Sequence, residues 1–225
     1  MCYYNDFNGP NQDTKKEHIM KFDSKRAAFI AIDLQQAFCA DTGSVAAQGR
    51  DISPCRAAAF RCVELADEAR ANGIPVIWTR IALRPDYADG GLMIHEIRPG
   101  LKRAGGIKAG TDDAALIPEA VIASKDFVID KPRNSAFFST GLESLLHALD
   151  VRCLVIGGVT TSMCVESTVR DSGQRDYRTF VVRDACGDFS IDRHTASLKA
   201  IEFGFGRVIG HTDALNAFSN GQVDL

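Results

Sequence analysis

The sequence has no apolar run approaching the roughly 18 residues needed to cross a bilayer. Membrane association is therefore not expected. It has no surplus of one charge: 26 Lys and Arg stand against 29 Asp and Glu, giving a formal net charge of −3 and a pI of about 6.0. That balance lacks the electrostatic footprint of a nucleic-acid or anionic-membrane partner. No C-x-x-C pair and no Cys/His cluster with zinc-ligand spacing occurs among the seven scattered cysteines, Cys2, Cys39, Cys55, Cys62, Cys153, Cys164 and Cys186. The stretch Met1–Asp23 is polar, carries Lys15, Lys16 and Lys21, and lacks the apolar core of a secretory signal. Free thiols in a reducing cytoplasm are the expected state, most of them acting as small buried hydrophobes. Repeats, low-complexity blocks and Gly/Pro/Ser-rich linkers are also missing. The chain thus reads as a tail or arm over residues 1–24, a candidate for docking on a partner subunit, followed by one domain over 25–225.

What is present is an ordinary globular mixture, 45% apolar and 24% charged, in a chain long enough to bury a core unaided by disulfide or metal. Short apolar runs alternate with helical periodicity. Ala27–Ile32 reads as a strand buried on both faces and ends in Asp33. A helix follows, with Ser53 as N-cap, Pro54 in first position and Asn72–Gly73 as its stop. Pro75–Thr79, Phe127–Ile129, Cys153–Ile156, Thr179–Val182 and Arg207–Ile209 read as further strands. Thr140-x-x-Glu143 reads as a capping box ahead of an apolar face of Leu142, Leu145, Leu146 and Leu149. Asp192 reads as the cap of a helix carrying Ala196, Leu198, Ile201 and Phe205. Residues 84–118, rich in Gly and charge, read as a long connection suited to a lid or specificity loop. The alternation predicts an α/β fold: a three-layer α/β/α arrangement around a mostly parallel, about six-stranded, doubly wound (Rossmann-like) sheet.

In such sheets chemistry gathers where the carboxyl ends of the strands open into a crevice. The polar residues directly after buried strands are Asp33, then Asp130 and Lys131, and then Cys164 near the start of a helix from about Thr161. A thiol in the first helical turn meets unpaired N–H groups and the positive dipole end, which lower its pKa. Carboxylate, ammonium and thiol together make a nucleophile system of base, charge stabiliser and attacking sulfur. Each alone has an ordinary reading: Cys164 as a buried hydrophobe, Asp33 as a cap, Lys131 as a solvated charge.

Three segments carry a resemblance. Ile32-Asp33-Leu34-Gln35-Gln36-Ala37-Phe38 resembles a D-x-Q-x-x-F segment, and Asp130-Lys131-Pro132-Arg133-Asn134-Ser135-Ala136-Phe137 contains K-x-x-x-S-x-F. Gly158-Val159-Thr160-Thr161-Ser162-Met163-Cys164-Val165 matches a G-V-T-x-x-x-C-V nucleophile turn. Over about Ala27–Phe218 the chain resembles the isochorismatase-like cysteine hydrolases, a family that includes nicotinamidase and the N-carbamoylsarcosine, ureidoacrylate and biuret hydrolases. The resemblance implies Asp33 as base, Lys131 as catalytic lysine and Cys164 as nucleophile. It also implies a cis peptide between Val159 and Thr160, and an oxyanion hole from the backbone N–H groups of Thr160 and Cys164.

Nicotinamidases of this family carry an Asp/His metal cluster after the second strand. Here that region reads WTRIALRPDYADGG and His95 is isolated, so no metal and no cofactor are expected and nicotinamide is disfavoured. True isochorismatases lack the cysteine, which disfavours vinyl-ether hydrolysis. The Lys131–Phe138 segment and the run from Cys164 to Asp171 resemble the ureidoacrylate branch, with biuret- and triuret-type hydrolases close behind. The implied activity is hydrolysis of a C–N bond in a small ureido or carbamoyl substrate.

Candidate substrate contacts are the amides of Gln35 and Asn134, the rings of Phe38 and Phe137, and Arg80 or Arg84 as carboxylate ligands. An arginine in the crevice favours a carboxylated substrate, and its absence favours an uncharged, biuret-like one. Glu166 reads as structural. The resemblance also implies a homo-oligomer, dimer or tetramer. The competing classes are an amidase for a non-ureido amide, and a non-catalytic or redox-sensing binding module on the same fold.

Overall fold

The computed structural model describes residues 20–224. Residues 1–19 of the segment read as a tail, Cys2 among them, lie outside the described residues. The rest of that segment is built into the fold. Lys21–Asp23 is strand β1, paired antiparallel with β8, Gln222–Asp224, near the far end of the chain.

The six apolar runs become one parallel sheet: β2 (Ala27–Ile32), β3 (Val76–Ile81), β4 (Phe127–Lys131), β5 (Cys153–Val159), β6 (Arg178–Gly187) and β7 (Arg207–Ile209). Their order is β4-β3-β2-β5-β6-β7. The chain winds outward through β3 and β4, then returns to lay β5 on the other side of β2. The strand order therefore reverses between β2 and β5, and a crevice opens at their carboxyl ends.

Alternation along β2 divides its side chains between two cores, Phe29 and Ala31 to one face, Ile30 and Ile32 to the other. On the first face lie α2 (Ser53–Ala71) and α7 (His211–Asn220), contributing Ala59, Leu65, Ala214 and Phe218. On the second lie α4 (Leu142–Ala148), α5 (Glu166–Gly173) and α6 (Ile191–Gly204), contributing Leu142, Leu146, Val169 and Ile201. Two short helices, α1 (Gln36–Cys39) and α3 (Pro99–Arg103), sit in the loops at the crevice. This is the three-layer α/β/α arrangement the sequence predicts.

Three caps differ from expectation. Ser53 is the first residue of α2, Ile52 holds the cap position, and Asp51 accepts from the Ser53 N–H (2.9 Å). Gly141 precedes α4, where Glu143 pairs with Arg175 in place of closing a capping box. Ser190, not Asp192, caps α6 by accepting from Arg193 N. The predicted stop of α2 is present, with Asn72 as C-cap and Gly73 at φ 72°.

The 84–118 connection is more ordered than its composition suggests. It holds a π-helical turn (Met93–Ile97), α3 and a 3-10 turn (Asp112–Ala114). The Asp113 carboxylate pins it to the body by accepting from Ser44 N (2.7 Å), Ser44 Oγ (2.9 Å) and Ile107 N (2.7 Å).

Candidate active site

Gly158 lets β5 approach β2 closely. Its φ is +133°, and a Cβ there would collide with the backbone of Ile32. This contact brings the end of β2, with Asp33, beside the turn that follows β5. Asp33 itself has φ 55°, its N–H donates to Thr79 O (3.1 Å), and Thr79 Oγ1 donates to its Oδ1 (2.7 Å).

Lys131 ends β4, and the period-two alternation sends it inward while its neighbour Asp130 points outward. Lys131 Nζ lies 2.8 Å from Asp33 Oδ2, and neither side chain has solvent exposure. The same Nζ donates to Arg133 O (3.0 Å) and Asn134 O (2.9 Å) on the loop after β4, which leaves its third N–H for Asp33. The contact with Oδ2 is a buried ion pair at hydrogen-bond distance.

Cys164 lies in a π-helical turn, Thr161–Val165, that leads into α5. The Val159–Thr160 peptide before it is cis, as the resemblance implies. The Cys164 thiol donates to Asn134 Oδ1 at 3.9 Å. The turn is tied to the loop after β4 through Thr168, whose hydroxyl donates to Cys164 O (2.7 Å) and accepts from Ala136 N (3.0 Å).

The electrostatics differ in sign from the sequence expectation for the thiol. Burial pushes Cys164 up to about 12, Lys131 works to lower it, and Asp33 raises it further. Burial also works against the Lys131 ammonium, but Asp33 and Cys164 outweigh it and hold that group above the usual lysine value. Withdrawal from water thus outweighs the helix start and favours the protonated thiol.

Cys164 lines a small pocket, about 330 Å³ when the space open to solvent is counted, with Asp33 and Lys131 buried behind its wall. Cys164, Asn134, Phe38, Val159 and Thr160 form one part of the wall, and Met93, Arg98, Leu101 and Ile107 reach in from the 84–118 connection. Four predicted contacts do not line it. The Gln35 amide is consumed by backbone, donating to Ile81 O (2.9 Å) and Ala114 O (2.8 Å) while accepting from Ile81 N (2.8 Å). Arg80 makes a bidentate pair with Asp130 across the β3–β4 ladder, and Arg84 pairs with Asp86 on the surface. Phe137 packs in the core against Tyr177 and under Arg175. His95 is a local brace, its Nε2 lying 3.0 Å from Tyr87 O. Glu166 pairs with Arg170 one helical turn on.

Comparison with known proteins bears on the same residues. A model of the isochorismatase domain matches residues 27–213, a span that includes Asp33, Lys131 and Cys164. The chain belongs to the isochorismatase family. Within it, this isochorismatase-family chain is 34% identical over 176 residues to the ureidoacrylate amidohydrolase of Methylorubrum extorquens AM1, covering 73% of this chain and 71% of that one. It is 32% identical over 211 residues to the ureidoacrylate amidohydrolase of Acinetobacter baylyi, covering 88% and 86%. Among solved structures it is similar to a cysteine hydrolase from Pseudomonas syringae pv. phaseolicola, with a TM-score of 0.80 at 26% identity, covering 89% of this chain and 95% of that one.

Two residues of this isochorismatase-family site escape the sequence reading. Asp188 follows β6 directly and is buried; its Oδ2 accepts from Ser162 N (2.9 Å) and Ser162 Oγ (2.6 Å), holding the nucleophile turn from below. The signal is the one that marks Asp33, a carboxylate just past a buried strand, but β6 runs five residues beyond its apolar segment Thr179–Val182. Arg98 sits in the irregular connection, where no periodicity indicates its direction.

Proposed function

We propose that this protein hydrolyses a C–N bond of a small ureido or carbamoyl substrate, with Cys164 as nucleophile. The observation that carries this reading is the buried cluster of Asp33, Lys131 and Cys164, with Cys164 on the pocket wall. Similarity to two ureidoacrylate amidohydrolases supports the ureido class.

Charge accounting directs the first step. With Asp33 ionised, Lys131 protonated and the thiol neutral, the cluster has no net charge. Passing the thiol proton to Asp33 keeps it so, whereas releasing that proton to water would leave an uncompensated buried charge. The Asp33 carboxylate is the receiving group, with Lys131 Nζ 2.8 Å from its Oδ2 and Thr79 Oγ1 donating to its Oδ1. The sulfur then attacks the ureido carbonyl carbon, and the N–H groups of Thr160 and Cys164 receive the developing oxyanion. Asp33 returns its proton to the departing nitrogen as the C–N bond breaks, leaving a carbamoyl group on sulfur. Asp33 next takes a proton from water, the water oxygen attacks the carbamoyl carbon, the C–S bond breaks and the proton returns to the thiol. Lys131 remains an ammonium throughout and stabilises the thiolate. Asn134 orients the ureido edge, and Phe38 walls it.

Ammonia release from ureidoacrylate, biuret, triuret, N-carbamoylsarcosine and nicotinamide tests this reading. Turnover of a ureido compound, with nicotinamide untouched, is expected. Turnover of nicotinamide alone, or of none of the five by folded protein, overturns it.

A further inference from the structure

Arg98 is held between the π-helical turn and α3 by backbone bonds on both sides, Arg98 N to Met93 O (2.7 Å) and Leu101 N to Arg98 O (3.1 Å). Its half-buried side chain lines the same pocket as Cys164 and Asn134. A guanidinium carries five N–H donors. Among the described residues the acceptor of Arg98 is the Met163 thioether sulfur, 3.7 Å from Nη1, which is a weak one. Several other arginines are matched to carboxylates, Arg80 to Asp130, Arg84 to Asp86 and Arg170 to Glu166. Asp188, which attracts Arg98 electrostatically, is already engaged by Ser162 and Arg193.

The surroundings add positive potential. Burial, then Arg50, and further Arg193 act against the Arg98 charge and outweigh Cys164 and Asp188, which favour it, so its pKa lies below the usual arginine value. A cation withdrawn from water is stable when paired, and a planar fork with idle donors fits a carboxylate in bidentate fashion. We infer that Arg98 binds a carboxylate of the substrate, so that the pocket takes an anionic ureido acid with its carbonyl at Cys164 and its carboxylate on the Arg98 fork. This assignment rests on the proposed ureido hydrolysis and selects within it, against uncharged compounds such as biuret. It gives Arg98 the role that Arg80 and Arg84, each engaged elsewhere, do not fill.

Two measurements on the full chain separate this inference from the reading beneath it. In the first, kcat/KM is compared for ureidoacrylate and its neutral methyl ester. Arg98→Met is expected to lower the value for the acid about a hundredfold, the loss typical of one partner removed from a buried charge pair, and to leave the ester nearly unchanged. Arg98→Lys should restore part of the loss. Equal losses on acid and ester would overturn the assignment.

The second needs no substrate. Cys164 is alkylated by iodoacetate, an anion, and by iodoacetamide, its neutral counterpart, and the modified peptide is quantified by mass. Arg98→Met should lower the iodoacetate-to-iodoacetamide rate ratio at Cys164 by about tenfold, equivalent to about 1.4 kcal/mol. An unchanged ratio overturns anion binding by Arg98 whether or not any ureido compound is hydrolysed. Failure of wild type to turn over both acid and ester, with the ratio still dependent on Arg98, would instead count against the ureido reading alone.

Discussion

Lys131 Nζ stands 2.8 Å from Asp33 Oδ2, with both side chains withdrawn from solvent. Such a pair is held by mutual need more than by net gain, because each charge has lost its water. Lys131→Met should therefore lower the unfolding free energy by about 3–5 kcal/mol, the cost of an unpartnered buried charge. Adding Asp33→Asn to that variant should recover much of the loss. Urea unfolding of the two single variants and the double variant checks this; strictly additive losses would show the residues to be uncoupled.

The corrected contacts predict a separation of stability from activity. Gln35→Leu strips partners from Ile81 N, Ile81 O and Ala114 O, and should cost about 2–3 kcal/mol of stability for unsatisfied buried groups. Arg80→Ala and Arg84→Ala remove exposed pairs worth about 1 kcal/mol or less, and should leave kcat/KM unchanged. A large rise in KM for either arginine variant would return it to the substrate site.

The legible parts of this fold are those whose physics is local. Ala27–Ile32 and Arg207–Ile209 have the limits their apolar runs imply, and Asp33 after β2, Lys131 at the end of β4 and Cys164 in the turn after β5 stand at the carboxyl edge of the parallel sheet. Among the strands that run past their apolar segments, β3 carries Arg80, which the β4 ladder pairs with Asp130, and β6 carries Arg183 and Asp184 across a register shift that no local pattern marks. Gln35 was read as a ligand because an amide after a strand resembles a binding group. Its partners, Ile81 and Ala114, are 46 and 79 residues away, which no local pattern reveals. The direction of the Cys164 pKa is equally hidden from a local pattern, since burial is a property of the assembled fold.

Asp188 touches the nucleophile turn at Ser162 without lining the pocket, which makes it a positioning residue. Asp188→Asn should lower kcat about 10- to 100-fold with little change in KM, as expected when a reacting atom is displaced slightly. Arg193→Ala, which removes only the outer partner of that carboxylate, should act much more weakly. A loss of thermal stability in Asp188→Asn with kcat intact would assign Asp188 to folding alone.

Five buried thiols make the protein sensitive to alkali. Burial pushes Cys39, Cys164 and Cys186 up to about 12, and Cys55 and Cys62 are raised as well. Above about pH 9 the unfolded chain releases these protons while the folded chain keeps them, so unfolding gains. Stability should be full below pH 9 and fall toward pH 12, by about 1.4 kcal/mol per pH unit for each such thiol. Urea midpoints at pH 8, 9 and 10 measure the slope, which Cys62→Ala should reduce. A flat profile would contradict the protonated state of these thiols.

Everything proposed for the chemistry depends on the sulfur of Cys164. The direct measurement is kcat of wild type against Cys164→Ala and Cys164→Ser on the ureido compound turned over fastest, with thermal unfolding recorded alongside. The account predicts a loss of at least about a thousandfold in both variants, as for removal of a nucleophile, with the fold retained. A folded Cys164→Ala variant keeping kcat within about tenfold of wild type, far short of that loss, would contradict nucleophilic catalysis by this residue.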